Sequence, residues 1–299
     1  MRARARTAMI TGGVGNGRTF VMQVPRRVGL VLARASRTLG EEPYYHEFIE
    51  GLERVLAPAG ISVLVKIVTD RAAENATYEQ WSAQQRVDGV VLVDLRPDDD
   101  RVDLVRRLDL PGVVIGDPST AAGLPTVWTD DAGFAREAVR FLAERGHTVL
   151  GQVSGPLSFA HSQLRRGGFE SEAAARGLTL TSAEGDYSLE SGRTATTELL
   201  TAGAPRPTAI VYDNDLMTIG GLEAIAEQKL TVPADLSLIA WDDSAQCQLA
   251  VPALSAMSHD VGRIGEIAAG AVLDAMRGGS DGDVYEAPKA HIVERESTR

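Results

Sequence analysis

The chain has 299 residues, of which 44% are apolar and 24% charged, which suits a globular protein with room for two domains, each with its own core. Its net charge of −11 and pI of about 5.0 argue against a body that binds nucleic acid by itself, because such a body needs a basic surface. No apolar run reaches the roughly 20 residues that span a bilayer, and a lone cysteine, Cys247, excludes an intrachain disulfide and fits a reducing compartment.

Charge is unevenly placed along the chain. Residues 1–27 hold Arg2, Arg4, Arg6, Arg18, Arg26 and Arg27 and no acid, leaving 24 basic against 41 acidic residues in the remainder. The start, MRARARTAMITGGVG, lacks the apolar stretch of a secretory signal, so a cytoplasmic location is expected. Gly12 to Thr19 nearly spells a phosphate-binding loop, with Arg18 where the lysine belongs. Such a loop must come after a buried strand and open a helix. Here Pro25 stops the segment behind it, so residues 1–26 are expected to form a disordered basic, Gly-containing leader.

From Val28 onward, strands and helices alternate. VGLVLA predicts a strand, and YYHEFIEGLERVL predicts a helix with Phe48, Ile49, Leu52, Val55 and Leu56 at helical spacing. ISVLVKIV, VVLV and GVVI predict strands, separated by helices over ATYEQWSAQQR and DRVDLVRRL. Asp98, Asp99 and Asp100 could suggest a cation site, but acids at a helix start offset the macrodipole, which is the better reading. AGFAREAVRFLAERG predicts a helix ended by Gly146. A second series starts at TVLGQV and continues through helices 161–176, 190–201 and 215–228 and strands 208–212 and 236–241. A helix at 261–277 and a strand near 290–294 close the chain. Strict alternation implies an α/β fold of parallel sheets with helices on both faces, here as two Rossmann-like lobes.

Two strands end in clustered polar groups. TAIVY runs into Asp213-Asn214-Asp215, and LSLIAW into Asp242-Asp243. Carboxyl ends of strands are where open α/β sheets bind ligands, and amides with carboxylates suit a hydroxyl-rich ligand. The chain shows no G-x-S-x-G elbow, H-E-x-x-H or C-x-x-C, and Ser154 in GQVSG is misplaced for an elbow. A pair of carboxylates can in principle hydrolyse a glycoside, but no catalytic residue, metal or cofactor is expected.

The patterns N-D-L-M-x-x-G from Asn214 and V-P-x-D-x-S-L-I-x-x-D-D from Val232 resemble the effector-binding core of the LacI/GalR family of transcriptional regulators. Segments 41–65, 87–93, 110–118, 129–147, 155–178 and 292–299 fall in the same family's order, so the resemblance covers about residues 27–299. It implies a periplasmic-binding-protein-like type I fold whose chain crosses between lobes three times. Residues 27–147 with 255–279 would form one lobe, and 148–254 with 280–299 the other. A sugar or similar small effector would bind between them and control lobe closure in a homodimer. The alternative is an exported sugar-binding protein of a transporter, which shares the fold.

The resemblance also implies a ligand set. Arg165 in R-x-x-G-F would reach effector oxygens, with Arg166 exposed beside it. Asp242 would bridge hydroxyls, with Asp243 as a cap, and Asn214 would contact ligand, with Asp215 capping the helix. Tyr44, Tyr45 and Tyr187 would supply aromatic faces, and Asp131 an acid after the capping Asp130. His161 and His259 complete the set; His259 stands where the family often has Gln. Family members contact DNA through a helix-turn-helix head. Residues 1–26 lack its pattern, so that head is not expected in this chain, whether through a misassigned start, a truncation or a protein that acts without it.

Overall fold

The computed structural model describes residues 26–33, 42–203, 205–279 and 281–299, together with a two-residue antiparallel pairing of Thr7–Ala8 with Met22–Gln23. The rest of the expected leader, including its Gly-rich run, lies outside the described residues.

The first sheet is built from β1 (Arg26–Ala33), β2 (Ile61–Val68), β3 (Gly89–Leu92), β4 (Gly112–Ile115) and β5 (Thr126–Trp128). Its order is β2-β1-β3-β4-β5, with a late strand, Val284–Glu286, added in parallel beyond β5. Helices α1 (Pro43–Leu56), α2 (Arg71–Ala83) and α3 (Asp100–Arg107) connect these strands. The second sheet holds β6 (Val149–Ser154), β7 (Thr179–Glu184), β8 (Ala209–Tyr212), β9 (Ser237–Asp242) and β10 (Ser255–Ser258), in the order β7-β6-β8-β9-β10. The late strand of the first sheet is β11 (Val284–Glu286), and β12 (His291–Val293) pairs antiparallel to β10. Helices α4 (Asp131–Glu144), α5 (Ala160–Ala175), α6 (Leu189–Thr201), α7 (Asp215–Glu227) and the short α8 (Ala245–Leu249) belong to this half; α9 (Val261–Met276) returns to the first. The chain thus changes sheets three times, near 129–130, 259–260 and 287–290.

Those changeovers differ from the expected boundaries. Helix α4, expected in the first lobe, packs instead on the second core, where Phe134, Ala135, Ala138, Val139 and Leu142 meet Leu150, Phe169 and Trp241. An amphipathic helix between two sheets shows the same periodicity whichever core it serves. Strand β10, expected with the first lobe, pairs with β9, and β11, expected with the second, pairs with β5.

Each half has its own core, and helix packing in the first is close. Helices α1 and α9 cross at glycines: a Cβ on Gly51 would lie 2.1 Å from the Gly262 carbonyl oxygen, and one on Gly265 would lie 2.3 Å from that of Phe48. Valines and leucines of the central strands then fill the layer below, including Leu30, Val91 and Val113. On the opposite face of that sheet lies a buried ionic network. Arg101, 2% exposed, donates to Glu74 at 2.5 Å, to Asp99 at 2.9 Å and to the Asp94 carbonyl at 2.9 Å. Asp99 caps α3 through Arg101 N and also pairs with Arg71, as does Asp100 in the first turn, so these two acids serve a helix start. Burial opposes the Asp99 charge, but hydrogen bonds from Arg101 and Arg71 hold its carboxyl below the usual range.

Removing one partner of a buried ion network strands the others in low dielectric. Arg101→Met is therefore expected to lower unfolding free energy by about 3–5 kcal/mol, measured by chemical denaturation. A loss below about 1 kcal/mol would show that water reaches and screens the remaining carboxylates.

Candidate functional site

The carboxyl ends of both sheets face one cleft, whose empty space is about 690 Å³ with its open mouth counted. All nine residues singled out from the sequence line it: Tyr44 and Tyr45 from α1, Asp131 from α4, His161 and Arg165 from α5, Tyr187 after β7, Asn214 after β8, Asp242 at the end of β9 and His259 after β10. Both lobes contribute to this lining, so a ligand in the cleft touches both.

Arg165 is fixed before any ligand arrives. Its Nε donates to Asp131 Oδ1 at 2.7 Å and its Nη1 to the Asp213 carbonyl at 3.0 Å, while the guanidinium lies 4.3 Å from the centroid of the Trp241 ring. Burial opposes the charge, but Asp131 and Asp213 outweigh it and hold the guanidinium above its ordinary value. Its Nη2 makes no hydrogen bond among the described residues. Arg166, expected to be exposed, is half-buried instead and donates to Gln152 Oε1 at 2.8 Å and Ser154 Oγ at 3.1 Å, bracing α5 on the sheet.

Asn214 and Asp242 line the cleft as expected, but the capping roles at the two strand ends differ from those expected. Asn214, read as a ligand contact, is also the helix cap: its Oδ1 accepts from Met217 N at 2.9 Å and its Nδ2 donates to the Tyr187 carbonyl at 3.0 Å. Asp215, read as the cap, turns away and accepts from Ser244 N at 2.6 Å. Asp243 does not cap α8; it forms an ion pair with Arg295 at 2.7 Å whose angles fall short of a hydrogen bond. Asp242 has no side-chain hydrogen bond among the described residues, and burial, then the nearby Asp215, pushes its carboxyl well above the usual range. Its backbone φ is 86° and that of Asp243 is 63°, left-handed values that the Arg295 pairing helps to hold. Asp130 does cap α4, accepting from Gly133 N at 2.8 Å.

Tyrosines wall the cleft. Tyr44 stacks on Phe48 with planes 8° apart, and the neighbouring Tyr45 is 2% exposed, its hydroxyl donating to Asp94 Oδ2 at 2.8 Å. Tyr187 has φ 70° and a hydroxyl 2.7 Å from His161 Nε2 and 3.0 Å from Ser162 Oγ. Gly155 makes room for it, since a Cβ there would lie 2.1 Å from that hydroxyl. Phe159 stacks on the His161 ring at 5.5 Å. At this point the lobes touch directly: Ala160 N, the first amide of α5, donates to the Leu95 carbonyl of the first lobe at 2.8 Å. His259 sits between Phe134 and Trp241, its ring pKa lowered to about 3 by burial and by Arg165, with Nε2 unpartnered among the described residues.

Several lining residues escaped the sequence reading. Asp94 comes after the buried strand VVLV just as Asp213 comes after AIVY, so the same strand-end signal marked both. Asp213 lies under the cleft floor, its Oδ2 accepting from Gly155 N at 3.1 Å. Glu42 and Thr129 complete the polar lining. Among the described residues no group of three or more His, Cys, Asp or Glu is placed to hold a metal, and no helix is long and apolar enough to cross a membrane. Cys247 is buried against Asp215, where burial raises its thiol pKa.

Burial pushes Asp215 from 3.8 up to about 6, against the lowering effect of its Ser244 hydrogen bonds. A raised carboxyl holds a proton that the unfolded chain has released, so its stabilising contribution is full below about pH 4 and is lost as pH rises through about 6. Thermal unfolding from pH 5 to 7.5 should therefore show a falling midpoint that Asp215→Asn flattens; an equal slope in both proteins would place the proton elsewhere.

Comparison with known proteins agrees with this architecture. The family model described as a periplasmic binding protein-like domain matches residues 139–298. The HTH-type transcriptional repressor CytR of Escherichia coli is 30% identical over 262 residues, covering 86% of this chain and 76% of that protein. The regulator CelR of Thermobifida fusca is 28% identical over 290 residues, covering 94% and 83%. Among solved structures, a LacI family transcriptional regulator from Bifidobacterium animalis superposes with TM-score 0.83 at 34% identity, covering 92% of this chain and 98% of that one. The CelR–cellobiose complex superposes with TM-score 0.84 at 25% identity, covering 92% and 86%. Fold, cleft and these relatives agree: the chain belongs to the LacI family of transcriptional regulators, in its periplasmic-binding-protein-like, effector-binding part.

Proposed function

We propose that this chain senses a small carbohydrate or similar polyol in the cytoplasm and passes the signal, as a homodimer, to DNA-binding heads. The observation that carries the reading is the cleft itself. Asp242 presents a carboxyl with no side-chain hydrogen bond among the described residues, Arg165 a fixed guanidinium, and Tyr44 an aromatic wall from the opposite lobe. Vicinal hydroxyls pair with the first two, and the apolar face of a sugar ring packs on the third. The relative CelR, solved with cellobiose, supports a carbohydrate here. Its relatives are named as regulators, which favours this role over a transport receptor or an enzyme. Binding between lobes favours the closed arrangement by the difference in affinity for the two states.

The dimer reading draws on exposed apolar side chains. Val65 and Ile67 lie on β2, an edge strand, and Leu249 and Val251, 81% and 91% exposed, lie at and after α8. Among the described residues the exposed large hydrophobics lie on strand β2 and near α8, with one more, Val284, on β11. One patch from each lobe suits side-by-side pairing of two copies.

A thermal-shift and calorimetric screen of sugars, polyols and nucleosides tests the sensing role. A true effector raises stability by about 2.7 kcal/mol at a hundred times Kd, and Asp242→Ala weakens it by about 10- to 100-fold, the worth of a charge-assisted hydrogen bond, while circular dichroism of the free protein is unchanged. A ligand bound equally by the variant moves the site away from Asp242. Light scattering at micromolar concentration should give twice the 31.8 kDa chain mass, and the double change Leu249→Asp with Val251→Asp should halve it. A monomer before substitution rejects the dimer.

A further inference from the structure

Arg166 follows Arg165 directly in the chain, yet it turns to β6 instead of the cleft. Its guanidinium divides between two partners there: Nε donates to Gln152 Oε1 at 2.8 Å and Nη2 to Ser154 Oγ at 3.1 Å. Both partners are fully buried, and neither is charged. The contact therefore gains nothing as an ion pair; what it fixes is orientation.

The two arms converge on one residue. A guanidinium has no acceptor, so the Gln152 amide turns its oxygen toward Arg166 and its nitrogen the other way. That nitrogen reaches Asp213 Oδ1 at 3.4 Å. Ser154, on the second arm, precedes Gly155, whose amide donates to Asp213 Oδ2 at 3.1 Å. Both carboxyl oxygens of Asp213 are thus met by donors on the segment that Arg166 holds. The Asp213 amide donates to the Val153 carbonyl at 3.0 Å, and its own carbonyl accepts from Arg165 Nη1 at 3.0 Å. Burial raises the Asp213 carboxyl, while Arg165, the Gly155 amide and Gln152 hold it down. Its charge, after that of Asp131, works against burial to keep the Arg165 guanidinium above its ordinary value.

From this geometry, and resting on the effector-sensing reading above, we propose that Arg166 is a positioning residue for effector recognition. It fixes Gln152 and Ser154, these fix Asp213, and Asp213 seats Arg165 in the cleft. Two consecutive arginines on α5 divide the work, one facing the effector and one setting its neighbour's support from behind. Without Arg166 the Gln152 oxygen has no donor among the described residues. A buried amide left in that state turns toward water, which draws its nitrogen off Asp213.

Nitrogen-15 arginine labelling of the full, ligand-free chain reads the seat directly. The Arg165 Nε proton, bonded to Asp131 at 2.7 Å, should exchange slowly with water, its signal identified by its loss in Arg165→Lys. Arg166→Met should speed that exchange by about tenfold, the worth of one hydrogen bond to a charged group. Gln152→Leu should act similarly, and the double change should give less than the product of the two factors, because both pass through Asp213. Arg166→Lys, a milder change that keeps a donor for Gln152, should fall between wild type and Arg166→Met. Unchanged exchange in Arg166→Met, or a double change equal to the product, overturns the relay and leaves Arg166 as a brace for α5. Calorimetry with glucose, cellobiose and uridine reads the consequence: each one that binds should lose about tenfold in affinity in Arg166→Met. An unchanged affinity despite faster exchange overturns the link to recognition. No binding by any of the three, with the exchange pattern as expected, counts against the sensing reading alone and upholds the relay.

Discussion

The second lobe is organised around the seating of one guanidinium. Arg165 reaches from α5 to the start of α4, to the end of β8 and over the Trp241 ring on β9, so it ties one helix start and two strand ends into one surface. A buried cation needs this many partners, because its desolvation is offset only by close carboxylates and oriented carbonyls. The seat in turn explains the position of α4. Asp131 must stand beside Arg165, and that requirement brings the whole helix onto the second core as soon as the chain leaves the first sheet. Asp242 and Asn214 then occupy the remaining strand ends, where the Asp242 carboxyl lines the cleft with no side-chain hydrogen bond among the described residues.

The first lobe solves a parallel problem with different parts. Arg101 gathers Glu74 and Asp99 beneath the sheet and holds the Asp94 carbonyl, placing that residue, at φ 52°, on the rim of the cleft. Across the sheet, the glycine crossing of α1 and α9 lets α1 sit low enough for Tyr45 to bond Asp94 while Tyr44 faces the opening. Each lobe thus brings both aromatic and polar groups to the cleft, Tyr44, Tyr45 and Asp94 from the first and Tyr187, Asp131, Arg165 and Asp242 from the second.

Alternation of short apolar runs with amphipathic segments made the α/β layering legible, and the polar residues after AIVY and SLIAW marked the cleft from the sequence alone. What stayed hidden depended on direction rather than identity. Asn214 and Asp215 are both good caps, as are Asp242 and Asp243, and local sequence does not say which side chain turns toward the amide and which toward the cavity. Arg165 and Arg166 differ by about 100° of helical rotation, and only packing of α5 decides that one faces the cleft while the other braces Gln152. The three-residue strand VYE, Val284–Glu286, is too short and too exposed to announce itself; it exists because the edge of the first sheet offers β5 as a partner. Arg295, which supports the left-handed turn at Asp243, sits 52 positions away from it, beyond the reach of any local pattern.

The bond from Ala160 N to the Leu95 carbonyl joins the lobes through main-chain atoms alone. Such a bond is indifferent to the side chains at both positions, proline at 160 excepted. Substitutions within the cleft can retune which molecule is read without touching this clasp, and the clasp can survive wide drift in the residues around it. Recognition and mechanical closure are therefore separable traits in this fold, free to vary one without the other.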